Sequence, residues 1–207
     1  AEFADSPTDW VPAPVQGPWS AHMFFQVSDT TETYRRFIDN GAEVIGDEEL
    51  VQLNRINPVY YGYVTDLDGA VVEIVEVDVE ALRRRPLPPH QYRIRHVALA
   101  TPDVDRIAAF YAKLLDQAEH RRVGGADGFS SERVDAVSGL PGSQIRMAWF
   151  QIRNLELEIS QYVSHPTTLP DAPRPVDAPG YNMIVLDVSD LTDAVAKFKE
   201  AGGTIEA

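Results

Sequence analysis

His22 opens the short apolar run His22-Met23-Phe24-Phe25-Gln26-Val27, and Glu73 interrupts the run Val71-Val72-Glu73-Ile74-Val75. The same two residue types recur further along. His96 opens His96-Val97-Ala98-Leu99-Ala100-Thr101, and Glu158 stands in Leu155-Glu156-Leu157-Glu158-Ile159-Ser160. An acid inside an apolar strand is costly unless it is paired or bound to a metal. Imidazole nitrogen and carboxylate oxygen together suit Zn, Ni, Co, Mn or Fe(II), with water or substrate in the open positions. Two such units related by a pseudo-twofold axis would bring His22, Glu73, His96 and Glu158 onto one divalent metal ion. Against this stands an ordinary reading. A histidine at a strand start is commonly a hydrogen-bonded edge residue, and Glu73 could pair with an arginine such as Arg95 or Arg35.

The elements that would hold these residues repeat. Each of three blocks opens with an apolar run, the third being Met183-Ile184-Val185-Leu186-Asp187-Val188, and an aspartate follows two residues later: Asp29, Asp103 and Asp190. An aspartate there can cap a helix by accepting its unpaired backbone N–H groups. Helical spacing follows each time, with Tyr34, Phe37 and Ile38, then Ile107, Phe110, Tyr111 and Leu114, then Leu191, Val195 and Phe198 on one face. In the first block, Val59–Val64 and Val71–Val77 flank the turn Asp66-Leu67-Asp68-Gly69, a hairpin signal. In the second, Ile145–Ile152 and Leu155–Val163 flank Arg153-Asn154. Both full blocks read β-α-β-β-β, and the fold class is α+β.

Prolines punctuate the blocks. The expected organisation is a linker or the tail of a preceding module over 1–19, a βαβββ module over 20–80, a linker over 81–91, and a second module over 92–164. A Pro-rich linker over 165–180 then leads to a partial module, strand and helix, over 181–207. Period-two alternation turns Met23, Phe25 and Val27 toward the helix and His22, Phe24 and Gln26 away from it. In the second module it turns Val97, Leu99, Leu157 and Ile159 toward the helix, leaving His96, Ala98, Glu156, Glu158 and Ser160 opposite. Tyr61 and Tyr63 share one face.

Composition narrows the chemistry. The 207 residues hold 18 Lys and Arg against 32 Asp and Glu, a formal charge of −14. That balance speaks against a nucleic-acid partner, which needs a basic patch, and against anionic membrane surfaces. No stretch reaches the length of about 20 apolar residues that a membrane span needs. Cysteine is absent, which removes disulfides, thiolate metal sites and cysteine nucleophiles. Without a signal-like opening segment, the expected location is cytoplasmic.

The runs HMFFQVSDTTETYRRFIDNGAEVI and VTDLDGAVVEIVE resemble the second module of the vicinal oxygen chelate superfamily. That group contains glyoxalase I, methylmalonyl-CoA epimerase, fosfomycin and bleomycin resistance proteins, and extradiol dioxygenases. IRHVALATPDVDRIAAFYAKLLD with NLELEISQY resembles its first module, and GYNMIVLDVSDLTDAVAKFKEAGGTIEA the start of another second module. The resemblance covers about residues 20–78, 92–163 and 180–207. It implies a curved mixed sheet forming a cup with helices outside, and metal ligands at His22, Glu73, His96 and Glu158. Met183 stands where the third block would carry a histidine, and a thioether is a poor ligand for a hard ion. Two arrangements follow: the first two modules pair directly through the Arg83–Tyr92 linker, or they belong to separate cups of a larger four-module protein.

The leading expectation is a metal-dependent lyase, isomerase or epimerase of the glyoxalase type. It would stabilise an enolate or oxyanion of a small-molecule substrate, with Glu158 or Glu73 as the base. Glu158 is favoured because neighbouring Glu156 could raise its pKa. One alternative is an Fe(II) extradiol dioxygenase, suggested by Tyr63-Val64-Thr65-Asp66-Leu67-Asp68-Gly69 with Glu73. That reading is weakened by Leu67 in place of proline and by the lack of histidine between His22 and His90. The other is a non-catalytic drug-binding cup lined by Phe24, Tyr61 and Trp149. Exposed sheet edges and the incomplete block point to a homodimer. Gly124-Gly125-Ala126-Asp127-Gly128 reads as a mobile loop over the cleft. Arg83-Arg84-Arg85 reads as a solvated helix end or linker, the alternative being a hold on an anionic substrate, and His90, His120 and His165 read as surface residues.

Overall fold

The computed structural model describes residues 12–27, 30–52, 59–77, 93–153, 155–172 and 174–205. Residues 1–11, Asp29, Arg83-Arg84-Arg85 and His90 lie outside them. Strands and helices follow in the order β1 (Trp19–Val27), α1 (Thr30–Asp39), β2 (Glu43–Ile45), β3 (Val51–Gln52), β4 (Val59–Thr65) and β5 (Val71–Val77). Then come β6 (Arg93–Ala100), α2 (Val104–Leu115), β7 (Arg121–Val123), α3 (Glu132–Ser138), β8 (Ile145–Gln151), β9 (Glu156–Tyr162) and α4 (Leu191–Glu200). The strands form one mixed sheet in the order β2-β4-β5-β1-β6-β9-β8-β7, with β3 also on β4. The α+β class is therefore the one expected. Among the described residues no helix is long and apolar enough to cross a membrane.

The two halves are related by pseudo-symmetry. β1 runs parallel to β5, β6 runs parallel to β9, and β1 and β6 meet antiparallel at the centre. Alternation then sorts the side chains. On the helix side, Val27, Tyr34, Val64, Val72 and Ile74 form one core; Val104, Ala108, Ala148, Phe150, Leu157 and Ile159 form another. On the other side, Phe24, Tyr61, Tyr63, Val71, Val75, Val137, Ile145 and Tyr162 line the cup with Val15.

Two irregularities in the β1–β6 ladder lie beside the histidines. The register shifts between Ser20 and His22, leaving Ala21 as an extra residue, and again between Phe24 and Phe25. There Phe24 pairs with His96 and Phe25 with Ile94, so the extra residue is Arg95. Each histidine is thus preceded by a bulged residue, a device that re-aims side chains. In a regular strand Arg95 would face away from His96. Here its guanidinium reaches Glu156 on the cup face.

Helix caps follow the sequence where they are described. Asp103 accepts a hydrogen bond from the Arg106 N–H, and Asp190 from that of Asp193. The Asp66 carboxylate accepts from the Asp68 and Ala70 N–H groups, closing the β4–β5 turn.

Three features depart from the expectation. α3, set between β7 and β8, is an added element that the βαβββ reading lacks. It starts on the Ser131 cap, ends at Gly139, and lies against β3 and β4 of the other half. Ala136 accepts a hydrogen bond from the Asp47 N–H, and Gly46, at φ 77°, passes so close that a Cβ there would sit 2.1 Å from the Ala136 oxygen. Second, the glycine-rich 124–128 segment is fastened to the sheet rather than a loop over the cleft. Gly128 closes a turn onto Gly125, and Phe129 exchanges two backbone hydrogen bonds with Ile145. Third, residues 183–188 form no strand. An apolar run becomes a strand only with a ladder partner, and Met183, Val185 and Val188 stay exposed. α4 does form, resting on α2 through an edge-to-face contact of Phe198 on Phe110, with ring centroids 5.6 Å apart.

Candidate metal centre

His22 on β1 and His96 on β6 face the cup from opposite sides of the central ladder. Glu73, on β5, lies opposite Phe24, and Glu158, on β9, opposite Ala98. Glu73 Oε2 lies 3.0 Å from His22 Nε2 and 3.3 Å from His96 Nε2, and the two nitrogens are 3.2 Å apart. These three donor atoms all fall within 4.8 Å of one another. Glu158 Oε2 is 3.6 Å from His96 Nε2 and accepts a 2.8 Å hydrogen bond from the Trp149 indole N–H. All four side chains of the sequence-based set therefore gather in one place, each no more than 6% exposed. The reading in which they sit in separate cups does not describe this chain, and Glu73 meets neither Arg35 nor Arg95 as an ion-pair partner.

The electrostatics are those of a buried acid–imidazole cluster. Burial would raise the pKa of Glu73, but hydrogen bonds and positive charge from His22 and His96 bring it down to about 2. Burial opposes the charged form of His96, yet Glu158 and Glu73 hold its pKa above the usual histidine value. Burial beside the same carboxylates pushes the Tyr63 phenol well up, so it stays a neutral wall of the cup.

Does this donor set fit a metal ion? Both Nε2 atoms and one carboxylate oxygen converge, and the facing imidazole nitrogens need a proton or a cation between them. One shared proton can serve only one nitrogen–oxygen pair at a time, whereas a divalent cation serves all three, with Glu158 alongside. The set fits. His22 Nδ1 is buried with no hydrogen-bond partner among the described residues, leaving Nε2 as that ring's engaged nitrogen.

Glu156 takes a different part from the one expected. It is engaged by Arg95 Nε at 3.3 Å and His120 Nε2 at 3.1 Å. Burial raises its own pKa, but Arg95, Arg121, His120 and His96 together hold it below the ordinary carboxylate value. His120, read from sequence as a surface residue, is 38% exposed and belongs to the wall of this site. So does Arg121, whose guanidinium carbon lies 3.8 Å from the Trp149 ring centroid. No sequence signal marked Arg121. Its parity with Trp149 and Glu158 could have, since the three are cross-strand neighbours on one face.

Glyoxalase I from Zea mays has a TM-score of 0.48 and 16% sequence identity over 73% of this chain, and the chain spans 45% of its length. A Streptomyces coelicolor methylmalonyl-CoA epimerase in complex with 2-nitronate-propionyl-CoA has a TM-score of 0.40 and 15% identity, covering 71% of this chain and 99% of the epimerase. No curated protein matches the sequence. The sequence model of the Glyoxalase/Bleomycin resistance protein/Dioxygenase superfamily matches residues 93–207, the stretch that carries His96, Trp149, Glu156 and Glu158. That match spans more than half of the chain, which therefore belongs to this superfamily, the vicinal oxygen chelate group that the runs around His22 and His96 resemble.

Proposed function

We propose that the protein is a metal-dependent enzyme of the glyoxalase type, an isomerase, epimerase or lyase acting on the carbon next to a substrate carbonyl. The observation carrying this reading is the convergence of His22 Nε2, His96 Nε2 and Glu73 Oε2, with Glu158 held just outside by Trp149. His22, His96, Glu73 and Glu158 would hold the ion. When bound, a divalent cation supplies Lewis acidity to substrate oxygens and so stabilises an oxyanion.

The residues divide the remaining work. Glu73, between two imidazoles, is locked in its ionised form and serves as a fixed ligand. Glu158 has a single histidine neighbour and an indole donor, so its carboxylate can swing to take a proton from substrate carbon while Trp149 keeps it aimed. The cup walls Phe24, Tyr61, Tyr63 and Tyr162 exclude water around the reacting carbon.

The test is exchange in D2O. Protein reconstituted with Co(II), Ni(II) or Zn(II) is incubated with methylmalonyl-CoA and a panel of 2-hydroxy and 2-oxo carbonyl compounds, and loss of the C–H signal is followed by NMR. Metal-dependent exchange that disappears in Glu158→Gln supports the reading. No exchange with any compound, or exchange independent of metal, overturns it.

A second reading has its own observation. His22, His96 and Glu73 alone make a two-histidine, one-carboxylate set, while Glu158 is engaged by Trp149, as an Fe(II) extradiol dioxygenase would need. Anaerobic Fe(II) loading followed by catechol and air discriminates, because ring cleavage gives a yellow product.

A further inference from the structure

The pseudo-twofold axis allows the two halves of the cup to be compared position by position. One row of cross-strand neighbours on the cup face runs Ile45–Tyr63–Glu73–Phe24–His96. The matching row runs Arg121–Trp149–Glu158–Ala98–His22. Histidine matches histidine and glutamate matches glutamate, but Ile45 is matched by Arg121. Ile45 packs into the apolar cluster with Val137. Arg121 is exposed, spread over the buried Trp149 ring that itself holds Glu158.

Charge pairing isolates Arg121 further. At this end of the sheet Arg95 is paired with Glu156, Arg122 with Glu119 and Asp105, and Arg146 with Asp105. Among the described residues no carboxylate lies within ion-pair distance of Arg121. A divalent ion at the centre would be balanced by Glu73 and Glu158, and Glu156 already balances Arg95. Among the described residues Arg121 makes no direct ion pair of its own, and the charges of Glu156 and Glu158 reach it only from beyond ion-pair distance. Stacking on indole fixes the plane of the guanidinium yet leaves its in-plane N–H donors free, the geometry that suits bidentate binding of a carboxylate.

We propose that Arg121 is a specificity-determining residue, binding a carboxylate on the substrate while that substrate's other oxygens occupy the open positions at the metal centre. The inference rests on the function proposed above and gives its substrate class: small carboxylate-bearing carbonyl compounds.

The test uses two chelators with one metal-binding head. Succinic monohydroxamate and its terminal-amide counterpart differ only in the anionic tail, and their affinities for the Co(II)-loaded protein are read from the cobalt spectrum and by calorimetry. Wild type is expected to bind the carboxylate form roughly ten- to a hundredfold more tightly. Arg121→Gln should erase that ratio at unchanged cobalt content, and Arg121→Lys should restore part of it. Equal affinities in wild type, a preference that survives Arg121→Gln, or loss of cobalt in that variant would each overturn the assignment. If neither hydroxamate perturbs the cobalt spectrum of wild type, the metal-dependent function falls and takes this inference with it, a result distinct from equal affinities.

Discussion

The Trp149 indole N–H donates to Glu158 from the position that Tyr63 holds opposite Glu73 in the other half of the sheet. The two halves therefore offer the centre two unlike carboxylates. One is clamped between two imidazoles, and the other has one imidazole beside it and one indole donor.

Removing that donor tests the division of labour. Trp149→Phe keeps an aromatic wall but frees Glu158. The expected result is a fall in turnover of about ten- to a hundredfold, the range of a positioned acid–base group, with metal content near wild type. Metal analysis alongside kinetics with any substrate found in the exchange assay checks it; equal loss of metal would mean that Trp149 only shapes the ligand set.

His96 touches Glu73, Glu158 and His22, so His96→Ala removes the shared member of the cluster. Metal retained after dialysis against a weak chelator should fall at least tenfold. Elemental analysis decides, and unchanged content in the variant would remove the metal centre from the account.

Gly46 lies at φ 77° under α3, with the Ala136 oxygen 2.1 Å from where a Cβ would be. Gly46→Ala must both strain the backbone and push α3 away. A loss of about 1–3 kcal/mol is expected in denaturant unfolding, through strain and a forced backbone shift.

A pH effect should arise away from the centre. The Asp105 carboxylate is held below its ordinary pKa, first by its hydrogen bond from Arg146, then by the charges of Arg146 and Arg122. A depressed folded-state pKa stabilises the fold above the unfolded-state value and loses that stability as the pH falls through the folded one. The side chain is 60% exposed, so the contribution is small. Asp105→Asn should lower stability slightly at pH 7 and flatten its decline between about pH 5 and 2; parallel curves for the two proteins would contradict this.

Much of the site was legible because a strand with one face in a cup and one under helices must alternate. That rule turns His22, His96 and Glu158 away from the helices, while Glu73 stands out as an acid inside an apolar strand. The bulges at Ala21 and Arg95 were not legible, since an extra residue leaves the apolar pattern around it intact and shows only in the pairing. α3 gives little local signal, being seven residues with Val134 and Val137; contact with the opposite half buries Val137 and partly covers Val134. The run from Met183 to Val188 reads as a strand by composition, but pairing is a property of the partner as much as of the segment. The partners of Glu156, Arg95 and His120, needed the bulge and the end of β7 to be placed in space.

His22 and His96 stand on opposite sides of the ladder that joins the two halves. An ion gripped by both is bound only while that joint is closed, so occupancy and docking are one equilibrium. The cation would serve as a rivet: stripping it should loosen the joint first, and a substrate that tightens the ion's hold would also tighten the fit between the halves.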